Sequence, residues 1–314
     1  MTRVGAVDCG TNSIRLLVAD IDPGTRELSD VLRRMEIVRL GQGIDRTGAI
    51  APEAMERTLA RAREYAAQCR ELGAERVRFV ATSASRDASN ADEFVAGVHE
   101  AFGDYDVSPE VVSGDEEAAL SFSGATGDLR ATGVPGPYLV VDLGGGSTEF
   151  VRGSTSVEAA RSVDIGCVRM TERHLASDPP TDAEIEAAAR DIDAAIDEAA
   201  QVVDLRGIAS LVGLAGSVTT VTAHALGLTA YDPDRIHLAT LTPEQVVTAC
   251  DELLHLTHDE RAALGFMHPG RVDVIGAGAL VWRQVVRRLA ELGVERVVTS
   301  EHDILDGIAL SIVD

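Results

Sequence analysis

Two copies of one short pattern constrain this chain more than anything else in it. The first runs Val7-Asp8-Cys9-Gly10-Thr11-Asn12-Ser13, the second Val141-Asp142-Leu143-Gly144-Gly145-Gly146-Ser147-Thr148-Glu149. Each is an apolar strand that ends in a carboxylate and enters a turn of glycine and hydroxyl residues. Aligning Asp8 with Asp142 also aligns Gly10 with Gly144 and Ser13 with Ser147. Consecutive glycines let the backbone take positive φ and bring several N–H groups close to a ligand. Successive N–H groups in such a turn form an anion-binding nest, and hydroxyls beside it add neutral donors. Flanking carboxylates would repel phosphate, so they make best sense holding Mg²⁺ or a water beside it. A glycine-rich hairpin of no further consequence explains one copy but gives no reason for the second. Two similar domains, each offering a phosphate loop to a shared cleft, explain both.

The bulk composition supports this and removes several alternatives. At 314 residues and 45% hydrophobic, the chain is long enough to bury two cores. It shows no N-terminal apolar leader and no apolar run of bilayer length, so a soluble, cytoplasmic protein without membrane contact is expected. Cys9, Cys69, Cys167 and Cys250 lie far apart with no CxxC pair and read as buried, reduced thiols. The formal net charge is −23, and all 28 basic residues are Arg. Without Lys there is no Walker-type or kinase phosphate Lys and no Schiff-base chemistry. So acidic a surface also disfavours nucleic acid. Residues 1–130 carry 15 basic and 23 acidic groups and the remainder 13 and 28, so an anionic substrate must rely on local Arg, backbone N–H groups and a divalent cation.

Along the chain, residues 3–8, 13–21 and about 27–40 read as an antiparallel meander, with alternation at Ile14, Leu16 and Val18 predicting a half-buried second strand. Pro52 opens a helix that Gly73 stops. Strand Val77–Ala81 runs into Thr82-Ser83-Ala84-Ser85-Arg86, where hydroxyls and a guanidinium suit an oxyanion and equally suit an ordinary cap. A helix over about Ala91–Phe102, with Asn90 and Glu93 spaced as a capping box, and a strand Val107–Val112 follow. The turn from Ser113 through Asp115, Glu116 and Glu117 opens another helix. These carboxylates complement its dipole or, at the end of a strand, supply a base. Gly124 to Pro137 reads as a connector.

The second copy then repeats the order: strands at 138–142, about 148–152 and about 156–164, and a helix over Gly166–Leu175. An acidic helix Thr181–Val203 carries a Thr181…Glu184 capping box. Strand Ser210–Leu214 enters a small-residue loop, Gly213–Thr220, whose N–H groups suit an anion as well as they suit close packing. Helices Pro243–Leu256 and Arg271–Leu292, strand Val294–Thr299 and helix Ile304–Ile312 complete the chain. Gly276-Ala277-Gly278-Ala279 permits close helix approach. His224, His237, His255, His258, His268 and His302 show no HExxH-type spacing and read as structural or surface groups.

The ordered set Asp8–Arg15, Ala81–Arg86, Ser113–Ala118 and Asp142–Glu149, with Gly213–Thr220 and Arg271–Ala279 also similar, resembles the exopolyphosphatase / guanosine pentaphosphate phosphohydrolase family, in its short actinobacterial-type form. The resemblance implies an α/β fold: duplicated ribonuclease-H-like domains of the actin/hexokinase/Hsp70 superfamily with an interdomain active cleft. Residues 1–120 would be the first domain, with the terminal helix 301–314 returning to it, and 121–300 the second. It places the catalytic carboxylate on Glu117, which would orient or deprotonate the attacking water. Asp142 and Glu149 fall near the divalent ion, Mg²⁺ or another such as Mn²⁺, with Asp8 a helper. Asn12, Ser13, Arg86, Gly144, Gly145, Gly146 and Ser147 would hold phosphate oxygens. Arg86 offers the fork donor suited to a phosphoryl group.

The implied activity is hydrolytic release of terminal orthophosphate from inorganic polyphosphate by a homodimer. The same residues would serve the 5′-phosphohydrolysis of guanosine pentaphosphate. Longer relatives carry extra C-terminal domains, and a chain of two domains is expected to prefer short polyphosphates. A kinase or ATPase of the same superfamily would need a nucleotide-base pocket, of which the sequence gives no independent sign. A non-catalytic alarmone-binding regulator would not require the carboxylates at Glu117, Asp142 and Glu149.

Overall fold

The apolar run from Val4 to Cys9 forms the middle of the first sheet because both of its faces are covered. The computed structural model describes residues 1–105, 107 and 109–313. In it the chain divides into two units, Met1–Gly124 with Ile304–Asp314, and Ala125–Asp303. The first unit opens with the meander β1 (Thr2–Cys9), β2 (Ser13–Ile21) and β3 (Leu28–Ile37). There follow α1 (Ile44–Thr47), α2 (Pro52–Glu71), β4 (Arg76–Ala81), α3 (Ser83–Asp87), α4 (Ala91–Ala101), β5 (Glu110–Val111) and α5 (Gly114–Ala131). The sheet order is β3-β2-β1-β4-β5, antiparallel in the meander and parallel from β1 through β4 to β5.

One face of this sheet (Val7, Cys9, Ile14, Leu16, Val18) packs on Tyr65, Phe94 and their neighbours. The other (Val4, Ala6, Leu17, Ala19, Ile21) packs on Ile304, Leu305, Ile308 and Ile312 of the C-terminal helix. That second layer is why β2, expected to be half-buried, is buried on both faces at its centre. The helix is also tied by an ion pair from Arg33 to the buried Asp306.

Three local expectations are corrected here. Asn90 does not cap α4 with its side chain. Its carboxamide instead accepts from Ile50 N and donates to Ile50 O, at 2.9 and 3.1 Å. The segment read as a connector from Gly124 is helical through Ala131, because Ala125, Thr126 and Leu129 are buried and packing overrides the low helix preference of Gly124 and Gly127. The strand expected over Val107–Val112 contracts to β5, and Ser108 within it lies outside the described residues.

The second unit repeats the plan. Its elements are β6 (Tyr138–Leu143), β7 (Thr148–Gly153), β8 (Val157–Val163), α6 (Cys167–His174), α7 (Asp182–Ala200), β9 (Ser210–Leu214) and α8 (Ala215–Ala225). Then come α9 (Pro233–Ile236), β10 (Thr240–Leu241), α10 (Pro243–His255), α11 (His258–Ala262), α12 (Ile275–Glu291) and β11 (Val297–Thr299), before the C-terminal helix α13 (Ile304–Ser311) of the first unit. The sheet order is β10-β11-β9-β6-β7-β8. With the edge strand β10 set aside, β8-β7-β6-β9-β11 matches β3-β2-β1-β4-β5 in order and strand sense. The duplicated ribonuclease-H-like α/β architecture is therefore present in the topology itself. The capping boxes at Thr181/Glu184 and Thr242/Gln245 form as expected, and a third forms at Thr257/Glu260. All four cysteines are free and buried. No described helix is long and apolar enough to cross a membrane.

Glycine lets α13 approach α5 closely in the first unit. A Cβ on Gly307 would lie 2.0 Å from Leu120 O. Gly307→Ala should therefore lower the unfolding free energy by about 1–3 kcal/mol, the usual cost of overpacking, read as a lower urea midpoint. An unchanged midpoint would show that the two helices are not pressed together.

Candidate active site

In the first unit the β1–β2 turn closes through Gly10 N donating to Ser13 O at 2.9 Å. Its backbone is held from outside as well: Asn12 O accepts from Val38 N and Arg39 N, and Thr11 O accepts from Gly41 N. Thr11 and Ser83 share a hydroxyl contact of 2.9 Å, which joins the turn to α3. The Asn12 and Ser13 side chains are half-buried at this turn. Asp8 lies directly across the ladder from Arg15, and Asp8 Oδ2 accepts from Arg15 Nε and Nη2 at 2.9 and 2.7 Å. Its charge is compensated in place, which makes it the weakest of the expected cation ligands.

Arg86, on α3, donates through Nη1 to Val112 O at 2.9 Å and meets Glu117 Oε2 at 3.3 Å. Of the three acids opening α5, only Glu117 is buried, at 8% exposure; Glu116 instead joins Arg78 and Glu110 in a surface cluster. The first turn of α5 thus divides its carboxylates. One is held in the interior beside a guanidinium, and its neighbour faces solvent.

In the second unit Asp142 occupies the position of Asp8, but its partner across the ladder is Glu149. Residues paired across an antiparallel ladder project to the same face, and like charges there are unfavourable. Both are buried, Asp142 at 6% and Glu149 at 1%. Ser162 Oγ donates to Glu149 Oε1 at 2.7 Å. Two buried carboxylates on one face are an oxygen donor set that fits a hard divalent cation.

Beside them, the β6–β7 turn closes through Gly144 N and Ser147 O. The carbonyls of Gly144, Gly145 and Gly146 accept from the amides of Cys167, Val168, Arg169 and Gly166 at the start of α6, and Gly146 O also accepts from Arg169 Nε at 2.8 Å. In a trans peptide the N–H points opposite to the C=O. Carbonyls drawn toward α6 therefore turn the N–H groups of Gly145, Gly146 and Ser147 the other way, as an anion nest requires.

The expected left-handed backbone is not found, since Gly10, Gly144, Gly145 and Gly146 are absent from the positive-φ residues. Crowding explains the glycines better. A Cβ on Gly144 would sit 3.1 Å from Ser147 O, and one on Gly166 would sit 2.2 Å from the Gly145 carbonyl.

The small-residue segment after β9 is helix from Ala215 onward, and Ala215 itself takes φ 70°. Gly213 is small because Trp282 covers it, so packing explains that position. Gly216 has another reason: a Cβ there would lie 2.2 Å from the Arg271 guanidinium carbon. Arg271 thus lies across the first turn of α8, a cation at the positive end of a helix dipole, where an anion is the natural third member. Burial raises the Cys167 thiol pKa, and Ser217 and Arg271 beside it oppose that rise. Arg271 was not singled out from the sequence; the available signal was a glycine at the second position of a helix, where nothing in the backbone demanded one.

Gly166→Ala would push the glycine turn off its seat on α6. Affinity of the protein for inorganic phosphate, titrated by calorimetry, should fall at least ~10-fold, given how steeply binding and catalysis depend on ångström placement. Undiminished affinity would separate the turn from anion binding.

Comparison with known proteins agrees with the resemblance seen in the motifs. Exopolyphosphatase 2 of Mycobacterium tuberculosis is 50% identical over 317 residues, covering 99% of this chain and 99% of that protein. The guanosine-5′-triphosphate,3′-diphosphate pyrophosphatase of Vibrio atlanticus is 37% identical over 172 residues, 54% of this chain and 33% of that protein. A crystal structure of an exopolyphosphatase-like protein aligns with a TM-score of 0.94 at 44% identity, covering 99% of this chain and 97% of that one. Residues 17–314 match the family model itself, and the chain belongs to the Ppx/GppA phosphatase family.

Proposed function

We propose that this protein is an exopolyphosphatase, releasing terminal orthophosphate from inorganic polyphosphate with the help of a divalent cation. The observation that carries the reading is the difference between the twin hairpins. Asp8 faces Arg15, whereas Asp142 faces Glu149 in an otherwise matching ladder position. In the second unit the two carboxylates stand beside an amide nest, where a cation held by them would in turn offset the negative charge of a phosphoryl group. The similarity to Exopolyphosphatase 2 of Mycobacterium tuberculosis over 99% of the chain supports the substrate class.

In this reading Asp142 and Glu149 hold the cation, Mg²⁺ or Mn²⁺, with Asp8 at most an indirect helper. A cation bound there would neutralise charge on phosphoryl oxygens. Asn12, Ser13, Arg86, Gly144, Gly145, Gly146 and Ser147 contact phosphate, with Arg271 as a further donor. Glu117 orients a water and takes its proton as the water oxygen attacks the terminal phosphorus. The bridging P–O bond breaks, and the shortened polyphosphate leaves with the electron pair. Such a transfer is mostly positioning and charge stabilisation, which suits a site built of amides, guanidinium groups and one buried base. The family resemblance supports a cytoplasmic homodimer and a preference for short chains.

A second reading, 5′-phosphohydrolysis of guanosine pentaphosphate, is supported by the partial similarity to the Vibrio atlanticus protein. Phosphate release from short polyphosphate, long polyphosphate and guanosine pentaphosphate at equal concentration discriminates the two. The fastest turnover is expected on short polyphosphate, and chelation of divalent cations should abolish it. Faster turnover on guanosine pentaphosphate would favour the second reading. Glu117→Gln should reduce phosphate release at least ~100-fold, the scale of a lost general base, with KM little changed. Turnover near that of the parent would remove Glu117 from this role.

A further inference from the structure

We propose that Asp128, His237 and His302 form a binding site for a transition-metal dication of the Zn²⁺ class, separate from the carboxylate pair at Asp142 and Glu149. Asp128 lies on the last part of α5, His237 directly after α9, and His302 in the turn between β11 and α13. All three belong to the second unit. Asp128 Oδ2 is 2.6 Å from His302 Nδ1 and 3.5 Å from His237 Nε2. One ligand atom from each residue lies within 4.8 Å of the others, and the imidazole rings stand 4.6 Å apart at 44°. Among the described residues this is the one His/Cys/Asp/Glu group of that compactness.

The backbone fixes the positions of both histidines before any ion arrives. Leu238 N donates to Thr299 O and Thr299 N donates to Ala239 O, which seats the segment after His237 against the end of β11. Ser300 Oγ donates to His302 O and accepts from His302 N, a tight turn that sets the second imidazole. The side chains are 42%, 22% and 38% exposed for Asp128, His237 and His302, so solvent reaches the cluster and an ion has an entry path.

Two imidazoles and one carboxylate are a borderline donor set that favours Zn²⁺, Co²⁺ or Ni²⁺ over Mg²⁺, which prefers an all-oxygen shell. Three protein ligands leave a further position for water. Glu301 N lies 3.3 Å from His237 Nδ1, a long hydrogen bond that is given up when Nε2 binds the ion and the ring proton moves to Nδ1.

The test titrates the full-length protein, stripped of metal and kept in millimolar Mg²⁺, with Zn²⁺ by calorimetry and with Co²⁺ by visible absorption. About one equivalent of Zn²⁺ should bind despite the Mg²⁺, with ligand-field bands from Co²⁺. His302→Gln and Asp128→Asn should each weaken Zn²⁺ binding more than ~100-fold, beyond the loss expected from an outer partner. Both variants should keep the parent's circular dichroism and its Mg²⁺-supported phosphate release. His258→Ala, which alters an exposed histidine beside Asp259 and Asp273, should leave binding unchanged. Zn²⁺ binding that survives both cluster variants, is removed by His258→Ala or is displaced by Mg²⁺ would overturn the proposal.

Discussion

Two buried carboxylates held face to face are the constraint on which the rest of this structure turns. Asp142 and Glu149 are placed together on one face by the β6–β7 register. In the first unit the same ladder position pairs Asp8 with Arg15, and the charge is settled within the fold. A duplicated hairpin has thus diverged into two electrostatic states. One copy pairs an acid with a guanidinium, and the other sets two buried acids across the same rung, an oxygen donor set that fits a divalent cation. Like-charged groups paired on one face of a ladder are unfavourable, so their burial beside a glycine turn sets the second hairpin apart from the first.

The features beside that pair are set by close packing and backbone hydrogen bonds. The glycine turn is clamped by its carbonyls to the first residues of α6, which leaves its amides facing the other way. Gly166 permits the clamp, and Gly216 lets Arg271 lie across the start of α8. The second unit thus holds two buried carboxylates, a turn with its amides directed away from α6, and a guanidinium at the start of α8. In the first unit Glu117 is buried beside Arg86, while Glu116 one residue earlier joins a surface cluster with Arg78. Burial selects one carboxylate from an acidic run whose sequence treats all three alike.

What could be seen in the sequence was whatever a short window encodes. The paired motifs, the β-meander order, the Thr181 and Thr242 caps and the small residues of α12 all depend on neighbours within a few positions. The failures depend on contacts from afar. Gly124 to Ala131 looked like a connector, because the buried faces of Ala125 and Leu129 that hold it helical are invisible in its composition. β2 looked half-buried because the helix on its second face lies at the other end of the chain. Positive φ was expected at the glycine turn, whereas the need for glycine came from α6. The pairing of Asp8 with Arg15 is set by the ladder register and likewise cannot be read from the motif. His302 and Asp128 stand 174 positions apart, so no ligand-spacing rule could have joined them.

The most direct measurement is the stability of Asp142→Asn against the parent, in chelator and in Mg²⁺. If the pair is a charge conflict that a cation resolves, the substitution should raise the unfolding free energy in chelator by about 1 kcal/mol, the upper scale of a like-charged cross-strand pair. It should also remove both the stabilisation by Mg²⁺ and the phosphate release. A variant that is less stable than the parent in chelator, or one that keeps its response to Mg²⁺, would contradict the account.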